Sequence, residues 1–212
     1  MTNKKIRQLI KDHEKSLRQE SCLKKEKEFD SLCKWFNAKF GPHNIERFTK
    51  KDVLLFAEKI TWKGEDKEGF WRNLRIPTQW EEIASDENIK KFRGALKFLL
   101  YDKCDLELKL NELVQKNSPY NTPILRGKRL VVATAFLAVH KPEEYVSILS
   151  LEWKKDILEN LSRFPQDLPS DRGKQFVMMN KAFLSFKKEF GILHWNNYYM
   201  FTKFLWNRRS KK

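Results

Sequence analysis

The chain has 212 residues and a formal net charge of +15; hydrophobic residues make up 41% of it and charged residues 33%. This composition excludes a disordered chain, because enough apolar surface is present to bury a core. Seven glycines and seven prolines interrupt the sequence too often for a long coiled coil. The charged N-terminus and the lack of an apolar run of about 20 residues predict a cytoplasmic protein without a membrane span.

Helical periodicity dominates the chain from its start. Apolar residues recur at helical spacing over 3–40, and Gly41 with Pro42 is expected to end that helix. Thr49 and Asp52 predict a capped helix through the following apolar run. Further helices are predicted from Thr78–Glu81, through Phe92–Leu100 with Ser85 or Asp86 as cap, over Asp105–Val114, over Leu130–Val139, from a Ser150 cap to Leu161, over 172–190 up to Gly191, and over Asn196–Arg208. The prediction is an all-α, multi-helix globular fold, since no strand pattern or internal repeat is found.

A cluster of turn residues, Asn117–Pro123, lies near the middle of the chain. It suggests an N-terminal helical subdomain over 1–122 and a basic helical subdomain over 123–212. One continuous domain is the alternative.

The cysteines Cys22, Cys33 and Cys104 are too scattered for a disulfide framework or a zinc site. We expect three reduced thiols in or near the core. The prediction is no bound metal and no cofactor.

The basic residues are segregated along the chain. Between Arg172 and Lys212 there are ten Lys/Arg and one acid, Glu189, a net +9 of the total +15. Such separation predicts a positive face that attracts a phosphate backbone. The predicted electrostatic track consists of Lys174, Lys181, Lys187, Lys188, Lys203, Arg208 and Arg209.

A basic turn, Arg126-Gly127-Lys128-Arg129, precedes the apolar helix at 130–139. A glycine turn that leads into a helix presents backbone N–H groups and the positive end of the helix dipole, an arrangement that suits phosphate. We expect Arg126, Lys128 and Arg129 to contact phosphates, with Gly127 allowing close approach.

The same turn overlays a degenerate helix-hairpin-helix pattern, apolar-Pro-Gly-apolar-Gly-x-x-x-Ala. Leu125, Gly127 and Ala133 match it, whereas Arg126 and Arg129 replace its proline and second glycine. The match favours DNA binding through a modified form of this element.

Catalysis is not predicted. A helix-hairpin-helix DNA glycosylase needs a lysine and an aspartate where this chain has Val132 and Ser147. No nucleotide-binding, metalloprotease or serine-hydrolase motif occurs. The four histidines are expected on the surface or at helix ends; they are His13, His43, His140 and His194.

Most aromatic residues fall at core spacing. Trp62, Phe70 and Trp71 flank a charged loop at 63–69, and Trp195 and Tyr198 open the final basic helix. These five are candidates for stacking on bases.

Several segments in this order resemble the helical N-terminal region of McrB-like restriction proteins, over most of 25–206. They are FTKKDVLLFAEKIT, GFWRNL, KFRGALKFLLYD, RGKRLVVATAFLAVHKPEEYVSI, QFVMMNKAFLSFKKEFG and NYYMFTKFLW. Pro142 and Tyr145 keep the family's Pro-x-x-Tyr, whereas the turn is basic rather than Gly-Gly and a serine, Ser147 or Ser150, stands at the usual asparagine.

The resemblance implies a DNA-recognition domain of a modification-dependent restriction system that acts in phage defence. In that family a GTP-hydrolysing AAA+ motor follows this domain and recruits a nuclease subunit, so DNA (modified or not), the motor and the nuclease are the expected partners. Because no motor motif occurs, we expect one domain of a longer protein, with Arg208–Lys212 in a linker. A basic protein-interaction domain and an RNA-binding domain remain as alternatives.

Overall fold

The computed structural model describes residues 1–17, 20–60, 86–122, 130–148, 150–196 and 200–208. These residues form a globular all-helical fold with no strand among them, so the predicted fold class is confirmed. The nine helices of the described chain are α1 (Asn3–Leu17), α2 (Glu20–Phe40), α3 (Lys50–Ile60), α4 (Asp86–Tyr101), α5 (Leu106–Val114), α6 (Val131–His140), α7 (Leu151–Asn160), α8 (Arg172–Glu189) and α9 (Met200–Trp206).

Helix boundaries follow the capping residues found in the sequence. The backbone N–H of Thr49 donates to the Asp52 carboxylate over 2.8 Å, and the Thr49 hydroxyl accepts from the Asp52 N–H over 3.3 Å. The Ser150 side chain accepts from the backbone N–H of Trp153. Gly191, just beyond α8, has a φ of +70°, a conformation that glycine adopts without strain.

The structure describes the helix expected over 3–40 as two segments, α1 and α2, and residues 18 and 19 between them lie outside the described residues. The last helix ends at Trp206, two residues before the predicted end at Arg208. The helix predicted from Thr78 and the candidate cap Ser85 lie outside the described residues.

Phenylalanine rings from four helices form the centre of the core. The Phe56 and Phe136 rings stack with centroids 4.6 Å apart, Phe36 lies 5.1 Å from Phe56, and Phe92 lies 5.9 Å from Phe136. These rings bring α2, α3, α4 and α6 together. Buried side chains from both sides of 117–123 belong to the same cluster.

The helix α8 packs against α5 and α7. Gly173 permits the approach to α5, because a Cβ at that position would overlap the carbonyl oxygen of Glu107 and lie 3.0 Å from the Asn111 side chain. On the side of α7, Phe176 and Phe183 are fully buried. These contacts fix which face of α8 is turned to solvent.

One prediction about the cysteines is wrong. Cys33 is buried in the core, as expected, but Cys104 is exposed because it lies in the short turn between α4 and α5. None of the helices in the described segments is long and apolar enough to cross a membrane.

Candidate nucleic-acid interface

The strongest candidate site is a row of three lysines on the exposed side of α8. Lys174, Lys181 and Lys188 are each seven residues apart and exposed. A seven-residue spacing turns by only about 20° around an α-helix, so the three share one face. At 1.5 Å per residue the row is about 21 Å long. We call these three residues the α8 stripe.

The α8 stripe faces solvent because the opposite side of the helix is apolar. Phe176, Met179, Phe183 and Phe186 are all buried. In the sequence no acid occurs between Arg172 and Lys188. The carboxylates of α8 and its cap, Glu189 and Asp171, therefore lie at the two ends of the stripe rather than along it.

Ion pairs distinguish these lysines from others. Glu189, which ends α8, is bound by the Arg163 guanidinium through contacts of 2.6 and 3.0 Å. Elsewhere Lys39 pairs with Asp52 at 3.2 Å and Lys155 with Glu159 at 3.8 Å. Across the described parts of the chain, none of the three stripe lysines forms an ion pair within 4 Å, although the charge of Lys174 helps to lower the pKa of the neighbouring Asp171.

The N-terminus of α8 is already occupied by a carboxylate of the protein. Asp171 caps the helix by accepting from the backbone N–H of Lys174 over 2.7 Å, and the Asn111 side chain also donates to it. Burial acts to raise the pKa of Asp171, but these hydrogen bonds hold the pKa below its ordinary value. Attraction for a phosphate must therefore come from the stripe side chains.

Two predicted contact residues lie in the core, and both predictions are corrected. Lys187 is 6% exposed, and its ammonium donates to the carbonyl oxygen of Trp195. It comes four residues after Phe183, which puts it on the buried side of α8. Trp195 is 1% exposed and packs against His13 and Phe204, with centroids 5.1 and 5.5 Å away. Neither side chain reaches a phosphate or a base in this conformation.

Two further residues of the predicted track are partly exposed near α9. Lys203 lies on the helix, and Arg208 follows it with its guanidinium carbon 5.0 Å from the Phe204 ring centroid. Burial lowers the pKa of Arg208. Both cations lie close enough to His13 to add to the lowering of its pKa, for which burial is the main cause.

The remaining predicted contacts lie outside the described residues and stay predictions. They are Arg126, Gly127, Lys128, Arg129 and Arg209, with the candidate stacking residues Trp62, Phe70, Trp71 and Tyr198. The helix-hairpin-helix-like element depends on this turn and also stays a prediction.

The helix α6 that follows the basic turn has an unusual start. Its N-cap, Leu130, has a φ of +52° and no side-chain oxygen to accept from the first turn. By contrast, Ser150 and Asp171 cap α7 and α8 with oxygen atoms. Leu130 is itself buried, and the turn that precedes it lies outside the described residues, so anion binding at this helix start stays a prediction.

An exposed tryptophan was missed by the sequence analysis. Trp206, the last residue of α9, is 37% exposed, and its ring makes a perpendicular contact with Trp153 at 4.9 Å. The sequence signal that could have found it was its position three residues after Lys203 and two residues before the basic segment 208–212.

Two histidines have lowered pKa values, with burial as the main cause. His13 is buried, contrary to the expected surface or helix-end location, and its Nε2 lies 2.8 Å from the carbonyl oxygen of Met200. His140 ends α6, and its Nδ1 lies 2.7 Å from Oδ1 of Asn37.

In the segments that the structure describes, no group of three or more His, Cys, Asp or Glu is arranged to hold a metal ion.

Comparisons with protein-family models, with curated proteins and with solved structures gave no match. The class that the structure establishes is an all-helical globular protein with a basic, exposed helix face. Any function is therefore inferred from the residues themselves.

Proposed function

We propose that this chain is a non-catalytic DNA-binding domain that grips the phosphate backbone. The α8 stripe is the observation that supports it most: Lys174, Lys181 and Lys188 lie in one exposed row on a helix with no acid between them. A row of fixed cations about 21 Å long matches the extended charge of a nucleic-acid backbone better than it matches a single small anion.

Phosphate contacts of this kind give affinity and orientation without reading sequence. The basic turn Arg126–Arg129 and the partly exposed Lys203 and Arg208 would add further contacts. In this proposal Lys187 contributes nothing directly, because its ammonium is bound inside the protein.

The more specific part of the proposal rests on sequence resemblance. We propose that the chain acts in the cytoplasm as the recognition domain of a McrB-like restriction system, together with an AAA+ motor and a nuclease subunit. A genomic neighbourhood or continuous reading frame without any such motor would contradict this part, and the DNA-binding proposal would stand by itself.

The DNA-binding proposal is tested with a charge-matched pair of triple variants. Lys174→Gln/Lys181→Gln/Lys188→Gln removes the stripe. Lys39→Gln/Lys97→Gln/Lys155→Gln removes three lysines that are ion-paired on α2, α4 and α7. Fluorescence anisotropy with a labelled DNA duplex at low salt should show affinity falling about tenfold or more for the stripe variant and changing little for the control.

Equal decreases in the two variants would show that net charge alone drives binding and would contradict the stripe as the site. The same titration with RNA and with heparin separates the alternatives. Equal affinity for DNA, RNA and heparin would favour a nonspecific basic surface, and a preference for RNA would favour an RNA-binding domain. Absence of binding to all three would contradict DNA binding and favour the alternative of a basic protein-interaction domain.

A further inference from the structure

The exposed ring of Trp206 is held in place by a second tryptophan. The Trp153 and Trp206 rings are 4.9 Å apart at an interplanar angle of 89°. In such an edge-to-face contact only one face of one ring is covered by the other. Trp206 therefore has a defined orientation while 37% of its surface remains exposed.

Cationic side chains lie on both sides of this ring along the chain. Lys203 precedes Trp206 by three residues, a spacing that puts the two on the same side of α9. Arg208 follows by two residues, and its buried Nε has no hydrogen-bond partner within the described chain. No acid occurs after Glu189 in the sequence, so an approaching polyanion meets no carboxylate from this segment.

We propose that the Trp206 side of α9 binds an unpaired base of single-stranded DNA, with the indole stacked on the base and Lys203 and Arg208 contacting the adjoining phosphates. An aromatic ring between cations is the arrangement by which proteins bind single strands without sequence preference. The inference rests on the proposed DNA binding, but it adds a second contact of different chemistry.

The α8 stripe and the exposed Trp206 ring should differ in the form of DNA that they bind. The α8 stripe attracts any phosphate backbone, whether the bases are paired or not. An exposed indole gains little from a duplex, whose bases are already stacked on one another, and gains from a single strand, whose bases are accessible. A change at Trp206 should therefore affect single strands selectively.

The test uses the whole chain with a fluorescein-labelled oligothymidine and a duplex of the same length. Trp206→Leu keeps an apolar side chain but removes the aromatic ring, and Trp206→Phe keeps a smaller ring. Because the stacking surface is lost, Trp206→Leu should bind oligothymidine about tenfold more weakly and the duplex within about twofold of wild type. Trp206→Phe should retain most single-strand affinity.

The control is Leu193→Ala, which removes another exposed apolar side chain and should change neither affinity. Thermal unfolding of each variant verifies the fold. Unchanged oligothymidine binding by Trp206→Leu, or equal weakening for single strand and duplex, would overturn the inference. Wild type that binds duplex but not oligothymidine would overturn it and leave the proposed function intact, whereas binding to neither DNA would overturn both.

Discussion

The ammonium group of Lys154 lies 4.8 Å from the ring centroid of Phe176, inside the interface between α7 and α8. The side chain is 0% exposed, and its Nζ donates to the carbonyl oxygen of Val146 over 3.4 Å. In the described parts of the protein no carboxylate pairs with it. Burial lowers the pKa of Lys154 to about 7.

This lysine should make the protein more stable as the pH rises above neutrality. The folded state releases the Lys154 proton near pH 7, whereas the unfolded chain keeps it up to about pH 10.5. The unfolded state therefore binds more protons in this window, and the destabilising effect of Lys154 is relieved as the pH rises. The free energy of unfolding should increase by about 1 kcal/mol per pH unit between about pH 7 and 8.5, measured by urea unfolding.

Lys154→Met should raise stability at pH 7 and remove most of this slope, because methionine fills the same space without a charge. Lys109 and Lys187, whose pKa values are also lowered by burial, would leave a residual slope of the same sign. Above about pH 9 the trend is opposed by Cys33, whose pKa burial raises to about 12. If Lys154→Met keeps the wild-type slope of unfolding free energy against pH, burial does not lower the pKa of Lys154.

His13 should destabilise the protein at mildly acid pH. Its pKa is lowered mainly by burial, so the folded state stays neutral below the ordinary value of 6.5 while the unfolded state gains a proton. The free energy of unfolding therefore falls as the pH decreases through this range. His13→Gln should cost about 1 kcal/mol at pH 7 but lose less stability than wild type between about pH 6.5 and 5. His43→Gln makes the same substitution at an exposed histidine and is the matched control.

Two glycine substitutions should change stability in opposite directions. Gly173→Ala should destabilise the fold by about 1–3 kcal/mol, because the new methyl group would overlap the backbone of Glu107 on α5. Gly94→Ala lies on the exposed side of α4 with no atom within 4 Å of the new methyl, and should stabilise by about 0.5–1 kcal/mol. Chemical denaturation measures both. Equal effects would contradict the close approach of α5 and α8.

The basic turn is tested through its arginines. Arg126→Ala/Arg129→Ala should weaken binding to duplex DNA, and the slope of log affinity against log salt should decrease by about 2, one for each phosphate that the variant no longer neutralises. Lys90→Ala/Lys91→Ala removes the same charge from the exposed side of α4. If this control weakens binding as much as the turn variant does, the turn makes no specific contact.

The sequence predicted those features that depend on neighbours along the chain. Caps at Thr49 and Ser150, and the helix end at Gly191, come from side-chain hydrogen bonds and backbone conformations within a few residues. The same local geometry would have placed Lys187 correctly, because it is four residues after the buried Phe183. The prediction treated Lys187 like Lys188 because both are basic, although neighbouring residues of a helix point in directions about 100° apart.

Other features depend on packing between distant helices. Trp195 is buried because α1 brings His13 against it, and no local pattern indicates that contact. Trp206 is 37% exposed although it contacts Trp153 on α7, and no local pattern indicates that contact either. Helical periodicity assigns a direction to each side chain, but it does not say which helix will cover it.

The central claim, that the α8 stripe holds the phosphate backbone, is tested most directly by the salt dependence of DNA binding. Each neutralised phosphate contributes about −0.9 to the slope of log affinity against log salt concentration on duplex DNA. Lys174→Gln/Lys181→Gln/Lys188→Gln should therefore make the slope less steep than wild type by about 2 to 3, while Lys39→Gln/Lys97→Gln/Lys155→Gln leaves it unchanged. A stripe variant with the wild-type slope would contradict the account.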